Sequence, residues 1–162
     1  MKGIRWSAVL LGLCVFVSVP GVGSGQGLDG VEERIAAHVA AHETEALALL
    51  ERLVEINSGS MNPEGVRAVA DVLAPEFESL GFEVRWVPPP AGSGRGGHLV
   101  AERIGTRGKR ILLIGHLDTV FEEDSPFQHF ELDGDRARGP GVVDMKGGDV
   151  VIVSALRALH SV

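Results

Sequence analysis

The residues able to do chemistry gather in two short stretches. In LLIGHLDTVF, from Leu112 to Phe121, an apolar run ends in His116, and Asp118 follows two positions later. In RGPGVVDMKGGD, Asp144 stands between a Gly139-Pro140-Gly141 turn and the pair Gly147-Gly148. In extended backbone, residues i and i+2 share a face, so Asp118 can lie beside His116 and accept its second ring N–H. That arrangement fixes the tautomer of a metal-ligating imidazole and raises its basicity. Glycines around Asp144 permit close backbone approach and positive φ, as a tight ligand loop requires. With two metals roughly 3.5–4 Å apart, one carboxylate can give an oxygen to each, and a water between them becomes a nucleophile. Each stretch also has a plainer reading. An HxD alone fits a core histidine satisfied by a neighbouring acid better than a ligand, and Asp144 reads equally well as a helix N-terminal acid stabilised by the macrodipole.

The elements that would position these residues follow from periodicity. Asp29 with Glu32 has the form of a capping box, and Ile35, Val39, Ala46, Leu50 and Leu53 recur at helical spacing, giving one long helix or two short ones. NSGSMNPEG breaks that pattern, and Asn62, Pro63 and Glu64 supply a cap, a first-position proline and a first-turn acid. The next helix should run to about Leu80 and close at Gly81. Phe82, Val84 and Trp86 alternate with Glu83 and Arg85 as in a half-buried strand, which PPPAGSGRGG terminates. A second strand is expected over His98 to Ile104. Ile111 to Ile114 is a continuous apolar run of the kind found in strands covered on both faces. Val150, Val151, Val153, Leu156 and Leu159 then mark a further helix. Helices alternating with strands predict an α/β layer fold, and His116 sits where the strand gives out, the position at which such sheets bind ligands.

The 162 residues are 44% hydrophobic and 23% charged, enough for one domain with a core. Lys2 and Arg5 precede an apolar run from Ala8 to Val19, and Pro20 and small residues follow, the three-part layout of a signal peptide over residues 1–25. A bilayer span needs roughly 20 apolar residues, more than this run supplies. Export to the periplasm or the exterior is the expectation, with cleavage between Ser24 and Gln26 and no lasting membrane association. The single cysteine, Cys14, lies inside the run, so the mature chain, residues 26–162, would hold no disulfide. Cleavage would take two basic residues and no acidic ones from a formal charge of −7, leaving −9. Such a balance argues against a nucleic-acid partner, whose phosphates are met mainly by basic residues.

Other patterns fail when their context is checked. GSGRGG matches GxGxxG at Gly92, Gly94 and Gly97, yet prolines precede it and a strand follows, so it reads as a loop. His38 and His42 have the i, i+4 spacing of a zincin helix, but Val39 occupies the place of the glutamate base. His98, His129 and His160 have no ligand pattern near them. Asp144-Met145-Lys146 also spells the (D/E)xK of magnesium nucleases, a reading the negative charge opposes.

GHLDTVF, SPF and GPGVVDMKGG, together with INSGSMNPEGV, closely resemble the zinc-dependent exopeptidases and deacylases that include glutamate carboxypeptidases, aminoacylases, acetylornithine deacetylases and succinyl-diaminopimelate desuccinylases. The resemblance is greatest to the glutamate carboxypeptidase branch. It implies a layered catalytic domain with a largely parallel or mixed central sheet flanked by helices, incomplete at its C-terminal side. It also implies that His116 binds one metal, that Asp118 is the catalytic residue orienting His116, and that Asp144 bridges two metals and is followed by a cis peptide. Lys146, Gly147 and Gly148 match the motif and receive structural roles only. The implied cofactor is zinc, two ions per complete site, with cobalt or manganese as substitutes; the implied partner is a peptide or N-acyl amino acid. The family's glutamate pair and its later acidic and histidine ligands have no counterpart before Val162, so the chain is expected to be the amino-terminal part of a longer enzyme, inactive alone. The alternative is a non-catalytic binding module that keeps the fold. Nothing in the sequence sets the oligomeric state.

Overall fold

A computed structural model of the chain describes residues 27–162. The expected leader therefore lies outside the described residues. Helix α1 spans Gly30–Ala41 and opens on the capping box: the Asp29 carboxylate accepts from the Val31 and Glu32 N–H groups, and Glu32 accepts from the Asp29 N–H. The chain breaks at His42 and resumes as α2, Glu43–Val54, so the two-helix form of the reading holds. Helix α3, Pro63–Glu78, starts at the cap predicted for it, with Asn62 Oδ1 accepting from the Gly65 N–H and Pro63 at the first position. Gly81 closes the segment at φ 78°, a left-handed conformation that glycine adopts without a Cβ penalty.

Strand β1, Glu83–Val87, pairs antiparallel with β2, His98–Glu102, in the register Arg85↔Val100. The proline- and glycine-rich stretch between them is a loop, not a phosphate cradle. Strands β3, Glu131–Asp133, and β4, Arg136–Arg138, form a second hairpin turning at Gly134 (φ 59°) and Asp135. Helix α4, Lys146–His160, follows the Asp144–Met145 peptide, which is cis. No helix among the described residues is long and apolar enough to cross a membrane.

Amphipathic faces explain the core. Leu49 and Leu53 of α2, Val69 and Leu73 of α3, and Val150 and Val153 of α4 meet in one cluster, none more than 6% exposed. At roughly 1.5–3 kcal/mol for each fully buried aliphatic side chain, this cluster is what holds the helices together.

The sheet departs from expectation. The described residues hold helices with two antiparallel two-stranded sheets, and the layered, largely parallel sheet is not formed among them; the one parallel contact is an isolated bridge between Gly59 and Thr119. Ile111–Ile114, predicted as a strand covered on both faces, is irregular and open to solvent, with Ile111 83% and Ile114 77% exposed. The physical reason is pairing. A strand satisfies its N–H and C=O groups only through neighbours, and no described segment pairs with this run.

Candidate metal centre

Two loops and one helix start build the site. The first loop, Asn57–Asn62, is fastened to the segment after His116: Ser60 N–H donates to the Thr119 carbonyl at 3.0 Å and Thr119 N–H to the Ser58 carbonyl at 2.8 Å. Asn57 Nδ2 reinforces this by donating to Gln128 Oε1 and to the Phe121 carbonyl. Glycine is required where these backbones touch. A Cβ at Gly59 would fall 2.8 Å from Glu122 Cα, and one at Gly65 would fall 1.8 Å from the Asn57 carbonyl oxygen.

The second loop carries Gly141 at φ 78° and delivers Asp144 to the start of α4. Lys146, which follows the cis Asp144–Met145 pair, is fully buried, and its Nζ donates to the Ile56 carbonyl at 2.7 Å. It ties the α4 start to the beginning of the loop that follows α2. Burial pulls its pKa down to about 8, against the charge of Asp149, which holds it up. Asp149, in the first turn of α4, is 6% exposed, and its Oδ2 has no hydrogen-bond partner. Burial pushes its pKa up to about 7, against the lowering charges of His116 and Lys146.

His116, Asp118 and Asp144, separated in sequence, meet at one place. His116 Nε2 lies 2.8 Å from Asp144 Oδ1, and on the other side of the ring Nδ1 lies 3.0 Å from the Asp118 carbonyl and 3.4 Å from Asp118 Oδ1. Asp118 Oδ2 in turn accepts the Ser60 hydroxyl at 2.5 Å. Burial alone would lower the His116 pKa; its hydrogen bonds to Asp144 and the Asp118 carbonyl, with the charges of both carboxylates, outweigh that and raise it above the ordinary histidine value. The Asp144 side chain is 83% exposed, so this end of the site opens to solvent.

The donor set suits zinc in kind. An imidazole nitrogen and a carboxylate oxygen are both zinc donors at about 2.0–2.2 Å, so two of them on one ion stand roughly 3 Å apart. In number it falls short, because no group of three or more His, Cys, Asp or Glu side chains able to hold a metal ion occurs among the described residues. The acids that follow Asp118 do not fill the gap: Glu122 accepts from the Met61 N–H and Glu123 from Asn62 Nδ2.

The remaining histidines stay apart from this place. His38 and His42 stack at 4.0 Å on the helix surface, His129 pairs with Glu55, and His160 with Arg103. Sequence reasoning missed Ser60 and Asp149. For Ser60 no periodicity or motif marked a partner 58 residues away. For Asp149 the signal was present: an acid on the apolar side of a helix, level with Val150 and Val153.

Comparison with known proteins places the chain in a family. Residues 112–162 match the model of Peptidase family M20/M25/M40. The chain is 35% identical over 141 residues to carboxypeptidase G2 of Pseudomonas sp. (strain RS-16), covering 84% of this chain and 33% of that protein. It is 39% identical over 99 residues to acetylornithine deacetylase of Proteus mirabilis (strain HI4320), covering 58% of this chain and 25% of that protein. The chain thus spans a third or less of the length of the relatives it matches. The matched segment contains both His116 and Asp144, and the chain belongs to peptidase family M20/M25/M40, on its glutamate carboxypeptidase branch.

Proposed function

We propose that this chain supplies one side of the catalytic centre of a zinc-dependent exopeptidase or deacylase, which cleaves an amide bond next to a free carboxylate such as a C-terminal glutamate or an N-acyl amino acid. The observation that carries the reading is the 2.8 Å approach of His116 Nε2 to Asp144 Oδ1 with Asp118 behind the ring. His116 and Asp144 are the residues that would hold zinc. Bound there, zinc would polarise the scissile carbonyl and lower the pKa of water.

This chain's own residues do the positioning. Asp118 keeps the Nδ1 proton of His116 and so leaves Nε2 as the ligating atom. Lys146 holds the start of α4, and with it Asp144, against the Ile56 carbonyl. The general base is assigned to residues beyond this stretch, since Glu122 and Glu123 are engaged by Met61 and Asn62. Export through residues 1–25 belongs to the same reading, which puts the mature enzyme in the periplasm or outside the cell.

Zinc titration followed by calorimetry tests the site. With one imidazole and one or two carboxylates, binding should be weak, since zinc sites usually use at least three protein ligands. His116→Ala and Asp144→Ala should each abolish it. Tight binding that survives both variants would refute the assignment. For the activity, the chain and a version extended through its downstream reading frame are supplied with zinc and assayed for glutamate release from an N-acyl-glutamate. Turnover by the extended protein alone is expected, since a positioned base typically contributes 10²–10⁴-fold. Release by neither would favour the binding-module alternative.

A further inference from the structure

The loop between β1 and β2 fails as a phosphate cradle, yet its end is built against the body of the domain. A Cβ at Gly96 would fall 2.5 Å from Val66 Cγ1, and one at Gly97 would fall 2.7 Å from the Trp86 ring. Only glycine allows so close an approach. It brings the loop onto α3 and β1 and leaves between them a groove of about 310 Å³, a volume within the range of small-molecule sites. Pro63, Trp86 and Pro89 give the groove apolar walls, and Arg67, Arg95 and Glu64 are its charged residues. Both arginines have donors to spare. Arg67 Nε donates to Asp71 Oδ1 at 2.7 Å, and its guanidinium carbon lies 4.9 Å from the centroid of the Trp86 ring. Bound at Nε and stacked on one face, the group keeps its Nη1–Nη2 edge free, the planar fork that meets a carboxylate with two parallel bonds. The arginine–carboxylate ion pairs of the described residues use Arg67, Arg138 and Arg157. Arg95 enters none of them, and it stands one residue before the fixed glycine pair.

We propose that this groove is a ligand site separate from the metal centre, for a monocarboxylate carried on a flat apolar body: the anion goes to Arg95 and the free edge of Arg67, and the body rests against Trp86 and the two prolines. Glu64 sets the charge the groove accepts. Its carboxylate repels a doubly charged phosphate more than a singly charged carboxylate, so the two arginines are matched to the smaller charge. The groove shares no lining residue with the His116–Asp144 pair. It therefore stands or falls independently of zinc.

Trp86 reports on the groove directly. The chain has two tryptophans, Trp6 and Trp86, so in the full chain carrying Trp6→Phe all indole emission comes from the groove wall. Phenylacetate is the probe, with phenylacetamide as its uncharged counterpart and acetate as the anion without a body. Phenylacetate should change the emission saturably with a Kd of about 1 mM, the affinity expected of so small a ligand. The other two should bind about 10-fold more weakly or not at all. Arg95→Ala, in an exposed loop, and Arg67→Gln, which keeps a side-chain stem beside the ring, should each weaken phenylacetate about 10-fold, while Glu64→Gln should tighten it about 2-fold. Circular dichroism confirms that each variant is folded. His116→Ala should leave the titration unchanged. An equal response to phenylacetate and phenylacetamide would reduce the groove to an apolar patch and overturn the proposal. So would a response that never saturates, undiminished binding in the folded double variant Arg67→Gln/Arg95→Ala, or loss of binding in His116→Ala, which would put the carboxylate at the metal centre instead.

Discussion

Two apolar regions of this molecule meet opposite fates. The faces of α2, α3 and α4 bury Leu53, Val69 and Val153 completely, whereas Ile111–Ile114, as apolar as any of them, stands open. The difference lies in the backbone. A helix satisfies its own N–H and C=O groups and needs only one stripe covered, which another helix can provide from far along the chain, as α4 does for α2. A strand needs a partner on each edge and cover on each face, so four apolar residues in a row bring nothing unless other segments come to them.

The sharpest way to break this comparison is by truncation on each side of it. Leu53→Ala should cost roughly 2–5 kcal/mol of stability in urea unfolding, while Leu112→Ala, at a residue 81% exposed, should stay within about 0.5 kcal/mol. Equal losses would mean that the exposed run is buried in solution.

Next in size is the effect at the seam between the two regions, where Asp149 lies against Gly115 at the end of the run. Burial raises its pKa from the ordinary 3.8 to about 7, so its stabilising share is complete below pH 4 and is lost as pH rises through 7. Asp149→Asn should therefore be more stable than wild type at pH 8 by roughly 2–4 kcal/mol, with the gap closing below pH 4. Denaturant midpoints at both pH values decide it, and a gap independent of pH would remove burial of charge as the cause.

The smallest effects belong to helix caps. Asn62→Ala should cost about 1 kcal/mol through the lost bond to the Gly65 N–H, with a further loss because Asn62 Nδ2 also bonds Asn57. Asp29→Ala should cost about 1 kcal/mol or less, visible in amide exchange as fraying confined to α1, whose residues are all exposed or half-buried.

The same contrast explains what the sequence disclosed. Helix starts were legible because caps are local: Asp29 with Glu32, and Asn62 with Pro63, act within four residues. Strands β1 and β2 were legible, the first from alternation, though not their antiparallel pairing. The site was legible as two separate motifs, because HxD and the glycine-bracketed Asp144 carry their chemistry in their spacing. Their meeting was expected only through the family resemblance, since nothing local joins His116 to a residue 28 positions on. Ser60 escaped for the same reason. The β3–β4 hairpin escaped although Gly134-Asp135 is a two-residue turn signal, because strands of three residues are too short to show a period. The parallel sheet was over-read from Ile111–Ile114, since composition reports what a segment needs and not whether its neighbours are there.

The open run also governs how this polypeptide behaves in a test tube. Ile-Leu-Leu-Ile has high β-propensity, no proline and no charge, and it offers free hydrogen-bonding edges, the profile of a segment that templates aggregation. Lys109 and Arg110 stand immediately before it and act as gatekeepers, because stacking copies in register would bring their like charges together. Their protection is electrostatic and weakens as the screening length falls to about 3 Å near 1 M salt. The chain is thus best handled dilute and at low ionic strength, and salting-out steps suited to a closed globule would drive this one into aggregates.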